Sequence, residues 1–297
     1  MLLPPVGSYW AEGIDNDHIL RVSSTDLSPE LARHVDCIGR RSPYFSAPSG
    51  ELCVPRDLPS PPEIDSVDEK DLELDEEMDG VPVAFARDAF RQLAPVLLES
   101  SARTAVCKLA PSQPADPPPA SMRCIPPPPP QALPTHILAI TFSETGNQHF
   151  VPIHGVVWAL QCPPLSLASK PPPQPDSHFE LPVLPLTLPS EAAWPLVNSF
   201  IHHNSPAQLT SDLLVAPRPF PPSAPPPPSL DQGVPFDPSD NPEKALSYIL
   251  YRMELVRGLW LNAVELEISE GGIWEGMARA WAVMIVELEA WVQQNTS

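Results

Sequence analysis

The sequence predicts an α+β fold: a small sheet with helices, followed by a C-terminal helical hairpin, the folded parts interrupted by disordered proline-rich linkers. Three observations carry this expectation. Residues 135–204 read as strand, tight turn, strand, short helix, strand and helix. Residues 242–294 carry large apolar side chains at helical spacing. Elsewhere many of the chain's 45 prolines cluster at Pro111–Pro130, Pro163–Pro175 and Pro217–Pro228, where polyproline II is favoured over helix or central strand. The expected organisation is an N-terminal segment with a short helix, partly disordered (1–60), an acidic linker (61–80), a helix (81–109), a proline-rich linker (110–132), a folded module (133–215), a second proline-rich linker (216–241) and the hairpin (242–294).

Taken in order, Asp26 to Val35 has the form of a capped short helix. Ser28 suits the cap, Pro29 the first turn, and Leu31 and Val35 share a face. Glu63 to Asp79 holds ten acidic residues against one Lys, and such a run repels itself and stays solvated. Its interspersed Ile64, Val67, Leu72 and Leu74 also fit an acidic contact segment for a basic partner. From Pro82 to Lys108, Val83, Phe85, Phe90, Leu93, Val96 and Leu97 form an apolar helical stripe, expected to kink or end at Pro95.

The central module opens on Ile137-Leu138-Ala139-Ile140-Thr141-Phe142, an apolar β-rich run. Glu144-Thr145-Gly146-Asn147 supplies a turn, and His149 to Ile153 returns as a second strand. Pro152 cannot donate to a ladder, so this strand belongs at an edge. Gly155 to Cys162 reads as a short buried helix stopped by Pro163-Pro164. Leu181 to Leu188 is extended, and a helix starts near Pro189-Ser190-Glu191 with Trp194, Val197, Phe200 and Ile201 on one face. Leu209 to Leu214 closes the module as a helical turn.

In the C-terminal region Asn241-Pro242-Glu243 marks a helix start. Leu246, Ile249, Leu250, Met253, Val256 and Trp260 form its buried face, and Glu270-Gly271-Gly272 interrupts it. The second helix carries Trp274, Met277, Trp281, Met284, Leu288 and Trp291 at alternating spacings of three and four. The seam is short, which favours an intramolecular hairpin over a dimerising coiled coil.

A formal net charge of −20 argues against direct nucleic-acid binding, since phosphate contacts need clustered Lys and Arg. Five cysteines without a C-x-x-C motif fit a reducing, intracellular compartment. Met1-Leu2-Leu3-Pro4-Pro5 lacks the charged and apolar regions of a secretory signal. No apolar run approaches the ~20 residues of a membrane span. G-x-S-x-G, G-x-G-x-x-G, Walker and H-E-x-x-H motifs are all missing. His34 and Cys37 have a spacing that metals use but lack a second pair. His202-His203 point apart on a helix, and His154 suits a hydrogen-bonded structural histidine. No catalytic residue, metal or cofactor is expected. Ser28-Pro29, Ser42-Pro43 and Ser60-Pro61 fit proline-directed kinases at the dipeptide level.

Two resemblances add to this reading. A β-hairpin, then His154 opening a helix, the Trp158-Ala159 pair, Cys162, a further strand and the helix Ser190 to His202 together resemble the BTB/POZ (Skp1-like) pattern over residues 135–214. Pro134 to Ile140, Val151-Pro152-Ile153-His154, Leu181 to Leu186, Gly258-Leu259-Trp260-Leu261-Asn262-Ala263, Trp274 and Ala280-Trp281 resemble the fungal clampless protein family over residues 130–293. The second resemblance implies a regulator of basidiomycete sexual development, acting in clamp-cell formation and dikaryon maintenance. It implies protein partners, among them mating-type pathway transcription regulators, and no catalytic residues, and it favours the nucleus within an intracellular location of nucleus, cytoplasm or both. The first implies a BTB-like module at 133–215, and as an alternative function an adaptor linking a target to a ubiquitin ligase. An enzyme with a site assembled from distant residues is a third reading. The expected structural and interaction residues are His154, Trp158, Cys162, Trp194, Phe200, Trp260, Trp274 and Trp281.

Overall fold

The computed structural model describes residues 18–39, 43–46, 51–64, 80–107, 118–126, 132–165, 179–215 and 241–296. The core of the acidic run, the longest proline runs and Ser42 lie outside the described residues. The chain has both helices and sheets, as the α+β expectation requires. It forms two compact units, each drawn from separated segments. One takes residues 1–60, 210–257 and 277–297, the other residues 61–209 and 258–276, so the chain passes between them at four points.

In the first unit, β1 (Ile19–Ser23), β2 (Phe45–Ser46) and β3 (Glu51–Pro55) form an antiparallel sheet in the order β1-β3-β2. Alternation in β1 buries Leu20 and Val22 and leaves Arg21 in water. α1 (Pro29–Gly39) follows, with Ser28 Oγ accepting from the Leu31 amide at 3.4 Å as the capping pattern requires. The unit also holds the first part of α6 (Pro242–Glu265) and most of α7 (Gly271–Asn295). Trp291 Nε1 donates to the Pro242 carbonyl at 2.8 Å, as an antiparallel helix pair places them. The Tyr44 hydroxyl donates to the Met253 carbonyl at 3.1 Å, and its ring lies 6.0 Å from that of Trp281.

Trp281 is buried and its Nε1 donates to the Pro55 carbonyl at 3.1 Å, fastening α7 to the end of β3. Replacing it with alanine leaves a cavity and an unpaired carbonyl. Trp281→Ala is expected to cost about 3–5 kcal/mol, measured by urea unfolding followed by circular dichroism. A loss below about 1 kcal/mol would contradict the core placement.

The second unit contains α2 (Val83–Arg103), β4 (Ala105–Val106), β5 (Ser121–Ile125), β6 (His136–Phe142), β7 (Gln148–Ile153), α3 (Gly155–Ala159), β8 (Phe179–Leu188), α4 (Trp194–His203) and the start of α5 (Pro206–Leu214). The strands form one sheet in the order β4-β5-β8-β6-β7. β6 runs parallel to β8, and the other pairs are antiparallel. β6 is buried on both faces, as its unbroken apolar run requires. Ile137 and Ala139 join Met122, Cys124, Phe179, Leu181 and Val183 in one cluster, against which Val106 of β4 and Phe150 of β7 also pack. The two terminal strands thus meet across a rolled sheet.

β8 carries Pro182 and Pro185 yet lies inside the sheet order, where proline is normally excluded. Register explains this. Its first part, Phe179 to Pro182, pairs with β5, and its second part, Val183 to Leu188, pairs with β6. Each half is therefore one-sided in its pairing, and the missing proline donors interrupt no two-sided ladder. Pro152 sits on the terminal strand β7, as the edge assignment requires, though its side chain is buried.

The helix expected over 81–109 is α2, which does not end at Pro95 but runs on to Arg103; Pro95 is exposed. Three local expectations are corrected. β5 lies inside the residues read as linker 110–132. The α-helix α3 ends at Ala159, but Cys162 N–H still bonds the Trp158 carbonyl at 2.9 Å, and Pro163 to Leu165 add a 3-10 turn. α4 starts at Trp194, with Pro195 in its first turn, rather than near Ser190. Glu191 is used elsewhere: its carboxylate accepts from Asn147 Nδ2 at 2.7 Å and Thr145 Oγ1 at 2.9 Å, and lies 2.9 Å from His149 Nε2. It pins the β6–β7 turn, where Gly146 has φ +72°. Those hydrogen bonds, led by Asn147, hold its carboxyl below the usual carboxylate range.

Among the described residues, no helix is long and apolar enough to cross a membrane.

Candidate interaction surface

α2 carries one broad apolar arc that is only partly buried. The stripe read from the sequence, Val83, Phe85, Phe90, Leu93, Val96 and Leu97, spans about half its circumference at 3.6 residues per turn. Ala86, Phe90, Ala94 and Leu97 hold the inner part and are buried or half-buried. Phe85, Leu93 and Val96 hold the adjoining part, and they are 67%, 49% and 46% exposed. Ala89 lies between them and is also exposed.

The inward face is fixed by packing and by one cation. Ala86 contacts Ala159 and Leu160, with Val81, Val83, Phe90 and Val156 around them. Arg87 donates through Nε and Nη2 to the Leu160 carbonyl at 2.8 and 2.6 Å, and through Nη1 to Glu270 Oε2 at 3.0 Å. Its Nη2 also reaches Ser269 Oγ at 3.3 Å. A planar guanidinium held at three partners sets the rotation of the helix about its axis. With that rotation set, Phe85, Leu93 and Val96 face water. Arg91 pairs with Asp88 at 2.8 Å and Arg103 with Glu99 at 2.7 Å on the solvent side. Exposed three- and four-residue pairs like these contribute only a few tenths of a kcal/mol each, about 0.3–0.5. The stripe is thus an apolar band flanked by charges that largely neutralise each other.

The residues singled out from the sequence lie in the interior. His154 is buried, and its Nε2 donates to the Leu97 carbonyl at 3.2 Å, tying the start of α3 to α2. Trp158 stacks on Trp194 with ring centres 5.4 Å apart and meets His202 edge-on at 6.5 Å. Cys162 is fully buried, which pushes its thiol far up. Phe200 is buried beside Gly272. Trp260 is buried against half-buried Trp274, their rings edge-to-face at 6.1 Å. Trp281 belongs to the other unit. The structure therefore gathers His154, Trp158 and Trp194 around α3 and α4, and places Trp260 with Trp274.

Sequence reasoning missed Arg87 and Asn262. Asn262 lies in α6 one turn after Gly258 and is fully buried. Its Oδ1 accepts from the Ser190 amide at 2.9 Å and its Nδ2 donates to the Ser190 carbonyl at 2.8 Å. Gly258 permits the approach, since a Cβ there would lie 2.5 Å from Ser190 Oγ. Both residues stand in the block Gly258 to Ala263 that carries the family resemblance.

In the first unit, His34 Nε2 lies 2.9 Å from Ser247 Oγ, and His34 Nδ1 lies 3.8 Å from the Glu243 carboxylate. The grouping superficially suits nucleophilic chemistry. The Ser247 hydroxyl, however, donates back to the Glu243 carbonyl at 2.9 Å, and His34 Nε2 meets the same carbonyl at 3.0 Å. Those bonds are a tie between α1 and α6, with the serine proton directed away from the imidazole. Among the described residues, no three His, Cys, Asp or Glu side chains are placed to hold a metal. The Cys37 side chain lies outside the described ones.

The chain matches the family model of the Clampless protein 1 N-terminal domain over residues 59–189, and that of the Clampless protein 1 C-terminal domain over residues 212–297. No curated protein and no solved structure matches it.

Proposed function

Since the chain belongs to the clampless protein family, we propose that it serves the pathway of clamp-cell formation as a non-enzymatic regulator of sexual development, working by protein–protein contact through the outward face of α2. One observation carries the surface assignment: Phe85, Leu93 and Val96 share a face that packing and Arg87 turn toward water. Burying three such side chains against a partner contributes up to about 1.5–3 kcal/mol each before the cost of association. The partner class is a protein that presents an apolar helix or groove. Within the mating-type pathway, transcription regulators are the partners this reading favours.

The test is affinity capture from mating cells with the wild-type chain and with a Phe85→Ser, Leu93→Ser, Val96→Ser triple variant. Exposed substitutions change stability by no more than about 0.5 kcal/mol each, so the thermal melt should be close to wild type while partner recovery falls at least about tenfold. Full recovery by a folded triple variant would assign capture to another surface.

A further inference from the structure

A Ser-Pro pair has a purely structural use, with serine as the helix cap and proline in the first turn. Two of the pairs in this chain are used so. Ser28 Oγ accepts from the Leu31 amide at 3.4 Å, and the Ser28 carbonyl accepts from the Ala32 amide at 2.8 Å where α1 begins. Ser205 Oγ accepts from the Gln208 amide at 3.2 Å, and the Ser205 carbonyl accepts from the Leu209 amide at 3.0 Å where α5 begins. Both hydroxyls are occupied, and the chain after each serine coils at once into helix.

Ser60-Pro61 opens no helix. Both residues are exposed, and residues 58–64 are neither helix nor strand. Among the described residues, no hydrogen bond or ion pair engages any of them. The last ties of the chain ahead of them are at Arg56 and Asp57. The Arg56 amide donates to the His18 carbonyl at 2.8 Å and its guanidinium pairs with Glu289, while the Asp57 carboxylate lies 3.4 Å from His18 Nδ1. Pro61 confines Ser60 to extended backbone, and Pro59 and Pro62 favour polyproline II on either side. The Ser60 hydroxyl thus stands on a segment that is already straight, faces water and caps nothing.

We propose that Ser60 is the phosphoacceptor of a proline-directed protein kinase that uses MgATP. Such an enzyme takes its substrate as an extended segment with proline directly after the acceptor, and here that shape exists before binding. Ser60 Oγ bonds to the γ-phosphorus as the bond from that phosphorus to the β-bridging oxygen breaks. ADP leaves, and the hydroxyl proton passes to the carboxylate base of the kinase. The product is a phosphate ester carrying about −1.5 to −2 charges at pH 7. It stands ahead of Glu63, where the acidic run begins, and extends the charge of that run toward β3.

The test incubates the full chain with MgATP and, separately, a cyclin-dependent and a mitogen-activated kinase. Short synthetic peptides centred on Ser28, Ser60 and Ser205 serve as unfolded references, and mass spectrometry locates and times the phosphate. With at least one kinase, Ser60 in the folded chain should react within about threefold of its rate in the peptide, whereas Ser28 and Ser205 should react at least about tenfold more slowly than in theirs, because a helical turn must open first. The chain recovered from mating cells should carry phosphate on Ser60. Absence of that phosphate would overturn the proposal. So would a Ser60 rate at least about tenfold below that of its peptide with both kinases, or Ser28 or Ser205 reacting as fast as Ser60 in the folded chain.

Discussion

Acidification to about pH 5 is expected to remove about 4 kcal/mol of stability from the unit containing His154 and His202, and about 6 kcal/mol by about pH 4. Burial drives both imidazoles down from 6.5 to about 4. For His154 the neighbouring His202 adds to this, and the hydrogen bond to Leu97 partly opposes it. For His202 the bond to Asn198 opposes burial and His203 reinforces it. Both rings stay neutral in the folded protein down to about pH 4, but in the unfolded chain they take up protons near pH 6.5. The unfolded state therefore binds more protons throughout that window. Stability is complete above about pH 6.5, falls as pH drops through the window, and levels off below the folded values. His136, also held low by burial, acts in the same direction. Urea unfolding of the wild type and of His202→Gln, followed by tryptophan fluorescence across this range, measures the effect. The variant should lose about half as much stability on acidification as the wild type. Equal pH profiles for the two proteins would show that the buried imidazole is not the cause.

Asn262→Leu is expected to be the most damaging single polar substitution in the same unit. The side chain satisfies both backbone groups of Ser190, and Ser190 is itself buried. Leucine keeps the branched heavy-atom shape but is bulkier and offers neither partner, so a buried N–H and a buried carbonyl are both left unpaired. At about 1–3 kcal/mol each, the loss approaches about 6 kcal/mol in a site this enclosed. Asn262→Asp separates the two bonds, because a carboxylate can accept from the Ser190 amide but cannot donate to its carbonyl. It should retain part of the stability if the amide bond dominates. Calorimetric melting of both variants checks this, and a wild-type melting temperature for Asn262→Leu would remove the proposed role of the contact.

The central strands and both long helices were legible because periodicity is a repeated signal. β6 presents an unbroken apolar run, and α7 repeats large side chains through Trp291. β2 has two residues and β5 five, flanked by prolines; such short segments carry too little pattern to stand out from linker. The α2 stripe was legible as apolar but not as partly exposed, since the direction of a helix face depends on Arg87 and its distant partners. Arg87 and Asn262 are single polar residues whose importance comes only from what they meet. The candidate surface was therefore half readable: its residues were in view, its exposure was not.

The four passages of the chain between its two units bear on biosynthesis. Domains usually complete themselves in order as they leave the ribosome. Here neither unit can do so, because one needs residues up to 276 and the other residues up to 297. Nascent chains must wait for α7, on which both units draw, and truncation between the two matched family domains yields a pair of incomplete fragments rather than two independent proteins.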